Sequence, residues 1–335
     1  MATFAVVVLV LAVANTGLLL LVAWRRIALA ITERGKNARA QELRPAVLAF
    51  LDSGEALPSG LDRRRQEAVA DLLGDYARLV RGPAHTRIVD YFEREGIVAR
   101  ELAALTGGRT TSRRAVAAQR LGDIASLSAV PTLLAALLDQ QRDVRAAATR
   151  SLGRLRSAAA VENIVLVLVK GDVPAALARW ALLQIGTEAV PRLRSLLASD
   201  VAEQRAAAVE LLGLLGGAAD AGSAEERLHD SSAAVREQAA LALGRLGSEH
   251  HVARLLSALD DRIPTVRAAA ASALGRLRDP VATDALLEHA CNDQFDVARA
   301  AARAAVLVDP VRAAERAAGT GAPHLVEAVE VGQIR

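Results

Sequence analysis

Residues 265–280 read TVRAAAASALGRLRDP. One arginine near the front, a run of alanines and a closing Leu-Gly-Arg-Leu contain no reactive group. The chain nevertheless writes almost the same phrase at Asp143 (DVRAAATRSLGRLRS) and at Ala234 (AVREQAALALGRLGS). Aligned on the valine, the phrase recurs at Arg113, Val144, Pro174, Gln204, Val235, Val266 and Val297, with spacings of 31, 30, 30, 31, 31 and 31 residues. A period near thirty is the signature of stacked supersecondary units, none of which buries its apolar face alone. In the copy at Val266, the residues Val266, Ala270, Leu274 and Leu277 fall on one side of a helix. A shorter apolar segment precedes most copies, as in AVPTLLAALLD from Ala129 and HVARLLSALDD from His251. Each unit is therefore predicted to be a pair of helices. The glycines Gly153, Gly244 and Gly275 let neighbouring helices approach, which outweighs their cost of about 1 kcal/mol in helix propensity.

Composition agrees with an all-α chain. Of 335 residues, 52% are hydrophobic but only 2% aromatic, so the core must be built from Ala, Leu and Val. Few runs alternate with period two, which leaves strands little support. The one cysteine, Cys291, excludes a disulfide within the chain.

Phe4 to Trp24, FAVVVLVLAVANTGLLLLVAW, carries no charge. At about 1.5 Å per residue such a helix is about 31 Å long, the thickness of a bilayer core. We read it as a single transmembrane helix. A cleaved signal peptide, with Ala12 to Ala14 as the processing site, is the rival. No basic residue precedes the apolar run, and strong hydrophobicity continues past that site, which disfavours cleavage. Arg25, Arg26, Arg34, Lys36, Arg39 and Arg44 follow the stretch, against Glu33 and Glu42. The positive-inside rule then places the N-terminus outside and the remainder in the cytoplasm, with the basic flank against anionic lipid. Subtracting this flank from the 41 basic and 38 acidic residues leaves 35 and 36, so the body is near neutral. Nucleic-acid binding loses its main electrostatic support.

The organisation expected is an anchor over residues 1–26, a non-repeating helical region over 27–112, an array of about seven units over 113–310, and a C-terminal cap or tail over 311–335. Within 27–112, helices are expected at Ala46 to Leu51, at Arg63 to Val80, and at Thr86 to Leu105 with a break near Gly96.

The repeated phrases resemble HEAT repeats, particularly the short bacterial type found in phycobilin-lyase-like proteins, over about Arg113 to Pro310. The resemblance implies a HEAT-type α-solenoid and a habit of protein binding. It also implies a ladder of Asp and Arg residues six apart along the inter-repeat seam. The matching pairs are Asp139 with Arg145, Asp230 with Arg236, Asp261 with Arg267, and Asp293 with Arg299. Asp200 and Arg205 are five apart and Ala175 takes the arginine place in the third unit, so the ladder is expected to be interrupted. The stretch Gly217 to Asp230 is poor in large apolar residues and is expected to be a soft joint.

Motifs for chemistry are missing from the sequence. There is no P-loop, no nucleophile elbow and no His-Glu-x-x-His. His289 and Cys291 find no third ligand at metal spacing. The iron hydroxylases of this repeat type carry His-Glu dipeptides, and this chain has none. The expectation is a non-enzymatic scaffold without cofactor or small-molecule substrate, binding a membrane-associated protein at the inner membrane surface and regulating a membrane enzyme such as a polysaccharide glycosyltransferase. The alternative is a phycobilin-lyase-like enzyme handling a chromophore.

A partner face follows from the helical projection. The sixth and tenth residues after the valine place point away from the packing side. They include Arg150, Trp180, Glu210 and Leu241 in one column, and Arg154, Gln184, Leu214, Arg245 and Arg276 in the other. In HEAT arrays that side lines the concave surface. Trp180, flanked by Arg150 and Arg154, has the composition of an interface hot spot. The competing reading turns Trp180 into the core to fill a gap left by Pro174.

Overall fold

The computed structural model describes residues 37–77 and 79–333, together with Trp24 and Gly35. The apolar stretch before Trp24, and Arg25, Arg26, Arg34 and Lys36 of the basic flank, lie outside the described residues. Arg44 of that flank is exposed and Arg39 half-buried. No helix among the described residues is long and apolar enough to cross a membrane.

Every regular element among the described residues is helical. The chain divides into two compact units, one of residues 1–101 with 123–125, the other of residues 102–122 with 126–335. In the first unit, α1 (residues 37–52), α2 (Arg63–Ala77) and α3 (Pro83–Arg94) enclose a core that includes Val47, Phe50, Val69, Leu73, Ile88 and Phe92. The Phe50 and Tyr91 rings meet edge to face at 6.1 Å. Gly96 takes the left-handed conformation (φ 64°) at the break between α3 and α4 (Ile97–Gly107), where a side chain would be strained.

The second unit is built from the repeated phrase. Alanine, leucine and arginine are strong helix formers, and each copy becomes a second helix: α5 (Thr111–Ile124), α7 (Arg142–Arg154), α9 (Ala175–Ile185), α11 (Ala202–Leu215), α13 (Ala233–Leu246), α15 (Pro264–Leu277) and α17 (Phe295–Val308). The shorter first helices are α6 (Val130–Ala136), α8 (Val161–Val169), α10 (Val190–Leu196), α12 (Ala221–Glu226), α14 (Val252–Leu259) and α16 (Thr283–Asn292). Residues 311–335, expected as a cap or tail, hold most of α18 (Pro310–Thr320) and α19 (Pro323–Gln333), which pack on α17.

Successive second helices α11, α13, α15 and α17 stack on one another over much of their length. The close approach has a simple cause. A Cβ placed on Gly213 would stand 2.9 Å from the Ala242 Cα, one on Gly244 2.8 Å from the Ala273 Cα, and one on Gly275 2.8 Å from the Ala304 Cα. Gly153 faces Ala181 in the same way, at 2.7 Å. Only glycine against a small residue permits this spacing.

The stack opens between α9 and α11. α9 and α11 barely touch, and α11 leans on α8. The residue of α9 that corresponds to those glycines is Leu183, and the residue of α11 that corresponds to the alanines is Leu211. Two leucines where the other seams have glycine and alanine hold the helices apart. Leu183 is left 42% exposed. This corrects the expected position of the joint. Around Gly217 to Asp230, α11 and α13 pack tightly although α12 is short, because the second helices make the seam.

Candidate partner-binding face and the inter-repeat ladder

The turn between the first and second helix of a unit carries an aspartate. Its Oδ1 accepts the backbone N–H two residues on, as Asp261 does from Ile263 at 2.8 Å and Asp230 from Ser232 at 2.9 Å. Such Asx turns fix the chain at the helix start. The same carboxylate takes two bonds from an arginine of the preceding unit. Arg236 donates from Nε and Nη2 to Asp261 at 2.7 and 3.0 Å, and its Nη1 donates to the backbone carbonyl of Asp230 at 3.0 Å. Arg205 pairs likewise with Asp230, Arg267 with Asp293, and Arg114 with Asp139.

The ladder therefore differs from the pairing expected from the sequence. Asp and Arg six apart are joined through the aspartate's backbone carbonyl, in Asp139 with Arg145, Asp230 with Arg236 and Asp261 with Arg267. The ion pairs run between units, to an aspartate 25 or 26 residues further on. Asp293 is paired with Arg267, not with Arg299, whose nearest carboxylate is Asp296 at 3.5 Å. Arg145 has no carboxylate across the seam and donates to the Asp172 carbonyl. Ala175 leaves α9 without a rung. The ladder is thus interrupted where the seam opens.

Geometry sets the electrostatics. The bidentate guanidinium holds Asp139, Asp230 and Asp261 below the usual carboxylate range, against the opposing effect of burial. Asp293 is lowered most, by Arg267 first and by His289, whose Nδ1 lies 2.9 Å away. The arginines Arg114, Arg205, Arg236 and Arg267 are raised by the same bonds.

None of the candidate sixth- and tenth-column residues is fully buried. Trp180 is 37% exposed, so it does not fill the core. Leu214, Arg245 and Arg276 are exposed, while Arg150, Arg154, Gln184, Glu210 and Leu241 are half-buried. Two residues overlooked in the sequence complete the face at the open seam. Arg179 reaches across it to Glu210, with bonds of 2.8 and 3.1 Å. Leu183 stands exposed one turn from Trp180. The signal for both was present in the alignment, since every other copy has a small or β-branched residue at the Arg179 place. Further along, Glu237, Leu241, Ala268, Ser272 and Phe295 line an open groove of about 440 Å³. No group of three or more acidic, histidine or cysteine residues suited to a metal occurs among the described residues.

The architecture defines an α-solenoid of repeated helix pairs. The family model for HEAT repeats matches residues 223–306, and helix pairs of the same form recur from α5 to α17. The match says nothing of a membrane anchor.

Among solved structures, the chain is similar to human deoxyhypusine hydroxylase in complex with glycerol, at 22% identity and TM-score 0.32, over 82% of this chain and 98% of that one. It is similar to importin beta at 16% identity and TM-score 0.45, over 84% of this chain and 41% of that one. It is also similar to the CpcE and CpcF complex of phycocyanin lyase from Nostoc sp. PCC7120, at 20% identity and TM-score 0.24, over 79% and 92%. No curated protein matches the sequence.

Proposed function

We propose that the chain is a non-enzymatic scaffold that binds a protein partner across the face formed by the sixth and tenth columns of its second helices. The observation that carries this reading is the cluster at the open seam. Trp180, Leu183 and Leu214 expose large apolar surface within one stretch of the array, at 37%, 42% and 45%, and arginines surround them. Aromatic residues and arginine are the types that dominate binding energy at protein interfaces. A lone exposed leucine would need no explanation; two beside a tryptophan and an open seam do.

The apolar stretch from Phe4 to Trp24 and the basic flank support attachment at the cytoplasmic face of a membrane, where a membrane-bound enzyme such as a glycosyltransferase is the partner to be regulated. The test is crosslinking of the full chain in native membranes, followed by identification of the captured protein, with Trp180→Ala alongside. A specific partner lost in the variant, with an unchanged melting temperature, supports the reading. A large melting drop in the variant, or no capture dependent on Trp180, refutes it. A bilin absorbance band acquired by the purified chain would favour the chromophore-handling alternative.

A further inference from the structure

The tenth column changes character along the array. It runs Gln184, Leu214, Arg245, Arg276, Leu307. Arg245 lies back over Gly213, its Nη1 3.4 Å from where a Cβ would stand, and the Arg276 Cδ lies equally close over Gly244. The two arginine side chains thus lie over successive glycines, in register with the repeat. Neither makes a hydrogen bond or an ion pair to a carboxylate within hydrogen-bonding distance, and Arg150 and Arg303, in the sixth column, are likewise without one among the described residues. Glu210, the carboxylate that faces Arg245, is already bonded to Arg179. Desolvation of the part of its side chain that lies against the helix, and secondly the neighbouring Arg276, push Arg245 below the usual arginine range.

The body of the chain is near neutral, yet this strip carries unpaired positive charge beside exposed apolar side chains. We infer that the occupant of the face is an extended acidic peptide segment, with apolar residues against Trp180, Leu183 and Leu214 and two carboxylates against Arg245 and Arg276. This rests on the scaffold reading and specifies the chemistry of its partner.

The spacing supports an extended chain. Helices packed closely lie about 8–10 Å apart, and an extended chain in the polyproline II conformation advances about 3.1 Å per residue with three residues per turn, so that residues i, i+3 and i+6 share one side. Three residues therefore span one repeat. A segment with an apolar residue over Leu214 places carboxylates three and six residues further on over Arg245 and Arg276. An arginine presents a planar fork that a carboxylate accepts in bidentate fashion. Nucleic acid is the poorer occupant, since the face offers one aromatic residue for stacking and its arginines are interspersed with leucines.

The experiment uses the full chain in detergent and a fluorescein-labelled peptide, Phe-Ser-Ser-Leu-Ser-Ser-Glu-Ser-Ser-Glu, together with its reversed sequence, read by anisotropy. One of the two is expected to bind, and replacing both glutamates by glutamine is expected to weaken binding at least tenfold. Arg245→Gln and Arg276→Gln are each expected to weaken it about tenfold. Circular-dichroism melting checks that these variants remain folded; if Arg245→Gln fails to fold, Arg276→Gln carries the test alone. The inference is overturned if neither peptide binds, if the glutamine peptide binds equally well, if the arginine variants bind unchanged, or if a single-stranded oligothymidylate displaces the acidic peptide at lower concentration. A crosslinked partner that needs Trp180 but not Arg245 or Arg276 would leave the scaffold reading standing and remove this one.

Discussion

The seams between α11, α13, α15 and α17 and the gap between α9 and α11 are built from the same phrase and behave differently. In the first group a glycine faces an alanine and an arginine–aspartate rung spans each turn. At the gap Leu183 and Leu211 take those places, Ala175 replaces the arginine, and the surface pair Arg179–Glu210 is what joins the helices. Three changed positions convert a closed seam into an open one. The open seam is also where the apolar surface suited to a partner appears. Close packing and exposed apolar surface are therefore alternatives at the same register position, and the array places its candidate site where it gives up a rung.

The sharpest way to break this comparison is to put a leucine in a closed seam. With the Gly244 Cβ position 2.8 Å from the Ala273 backbone, Gly244→Leu cannot be relieved by a rotamer change. We expect it to destabilise by about 3 kcal/mol or more, at or beyond the upper end of overpacking effects. Leu183→Gly, in the open seam, is expected to cost about 1 kcal/mol, near the helix-propensity difference alone. Similar losses in denaturant unfolding would mean that the glycines do not set the spacing.

Acid separates the seams next. Asp230, Asp261 and Asp293 titrate lower in the folded chain than in the unfolded one. Their contribution is therefore complete above the unfolded carboxylate range, and it is lost as pH falls from about 5 through the folded values. Amide exchange, corrected for its intrinsic pH dependence, should show α13, α15 and α17 losing protection on acidification. The α9–α11 contact has no rung to lose and should change least. Uniform loss along the array would detach stability from the ladder.

Removing one rung is a smaller change. Arg267→Ala leaves the Asp293 carboxylate, whose side chain is 10% exposed, without its guanidinium. We expect a loss of about 1–3 kcal/mol, the cost of a largely buried carboxylate that loses its charged donor and keeps only His289 and the Gln294 N–H. Arg299→Ala, which touches Asp296 and the face of Phe295 at the surface, should fall within about 0.5 kcal/mol of the parent chain.

These cases show which parts of the molecule can be read from one sequence. The helix pairs, their period and the interruption of the ladder at Ala175 follow from residue columns, because each column keeps one environment from copy to copy. The partner in each rung does not, since Asp261 and Arg267 are close in sequence while the carboxylate of Asp293 comes from the next unit. The small residues of α12 point to a joint there, whereas the seam depends on what faces Gly213, Gly244 and Gly275. That reading needed Leu183 and Leu211 to be compared across helices. For Trp180 the phase of α9 after Pro174 decided between surface and core, and a shift of one residue lies inside the uncertainty of any helix boundary drawn from sequence.

The smallest expected effect lies at the ends of the second helices, and it has the opposite sign. Arg278, one residue past α15, adopts the left-handed conformation, with φ 55° and ψ 32°, and its N–H bonds the Leu274 carbonyl at 3.0 Å. The same position after α9 is Gly186, also left-handed at φ 74°, while after α13 it is Gly247, which is extended at φ −74°. Helices commonly end on a left-handed residue, and glycine is favoured there because its lack of a Cβ removes a penalty of about 1 kcal/mol. Arg278 is exposed and its side chain makes no hydrogen bond among the described residues. Arg278→Gly should therefore raise stability, by about 0.5 kcal/mol once the greater freedom of glycine in the unfolded chain is subtracted. The reciprocal Gly247→Arg should lower it, because a Cβ at Gly247 would collide with the Leu243 carbonyl oxygen. If Arg278→Gly instead lowers the melting temperature, that arginine makes a contact at the regular seam that the open seam, ending on Gly186, does without.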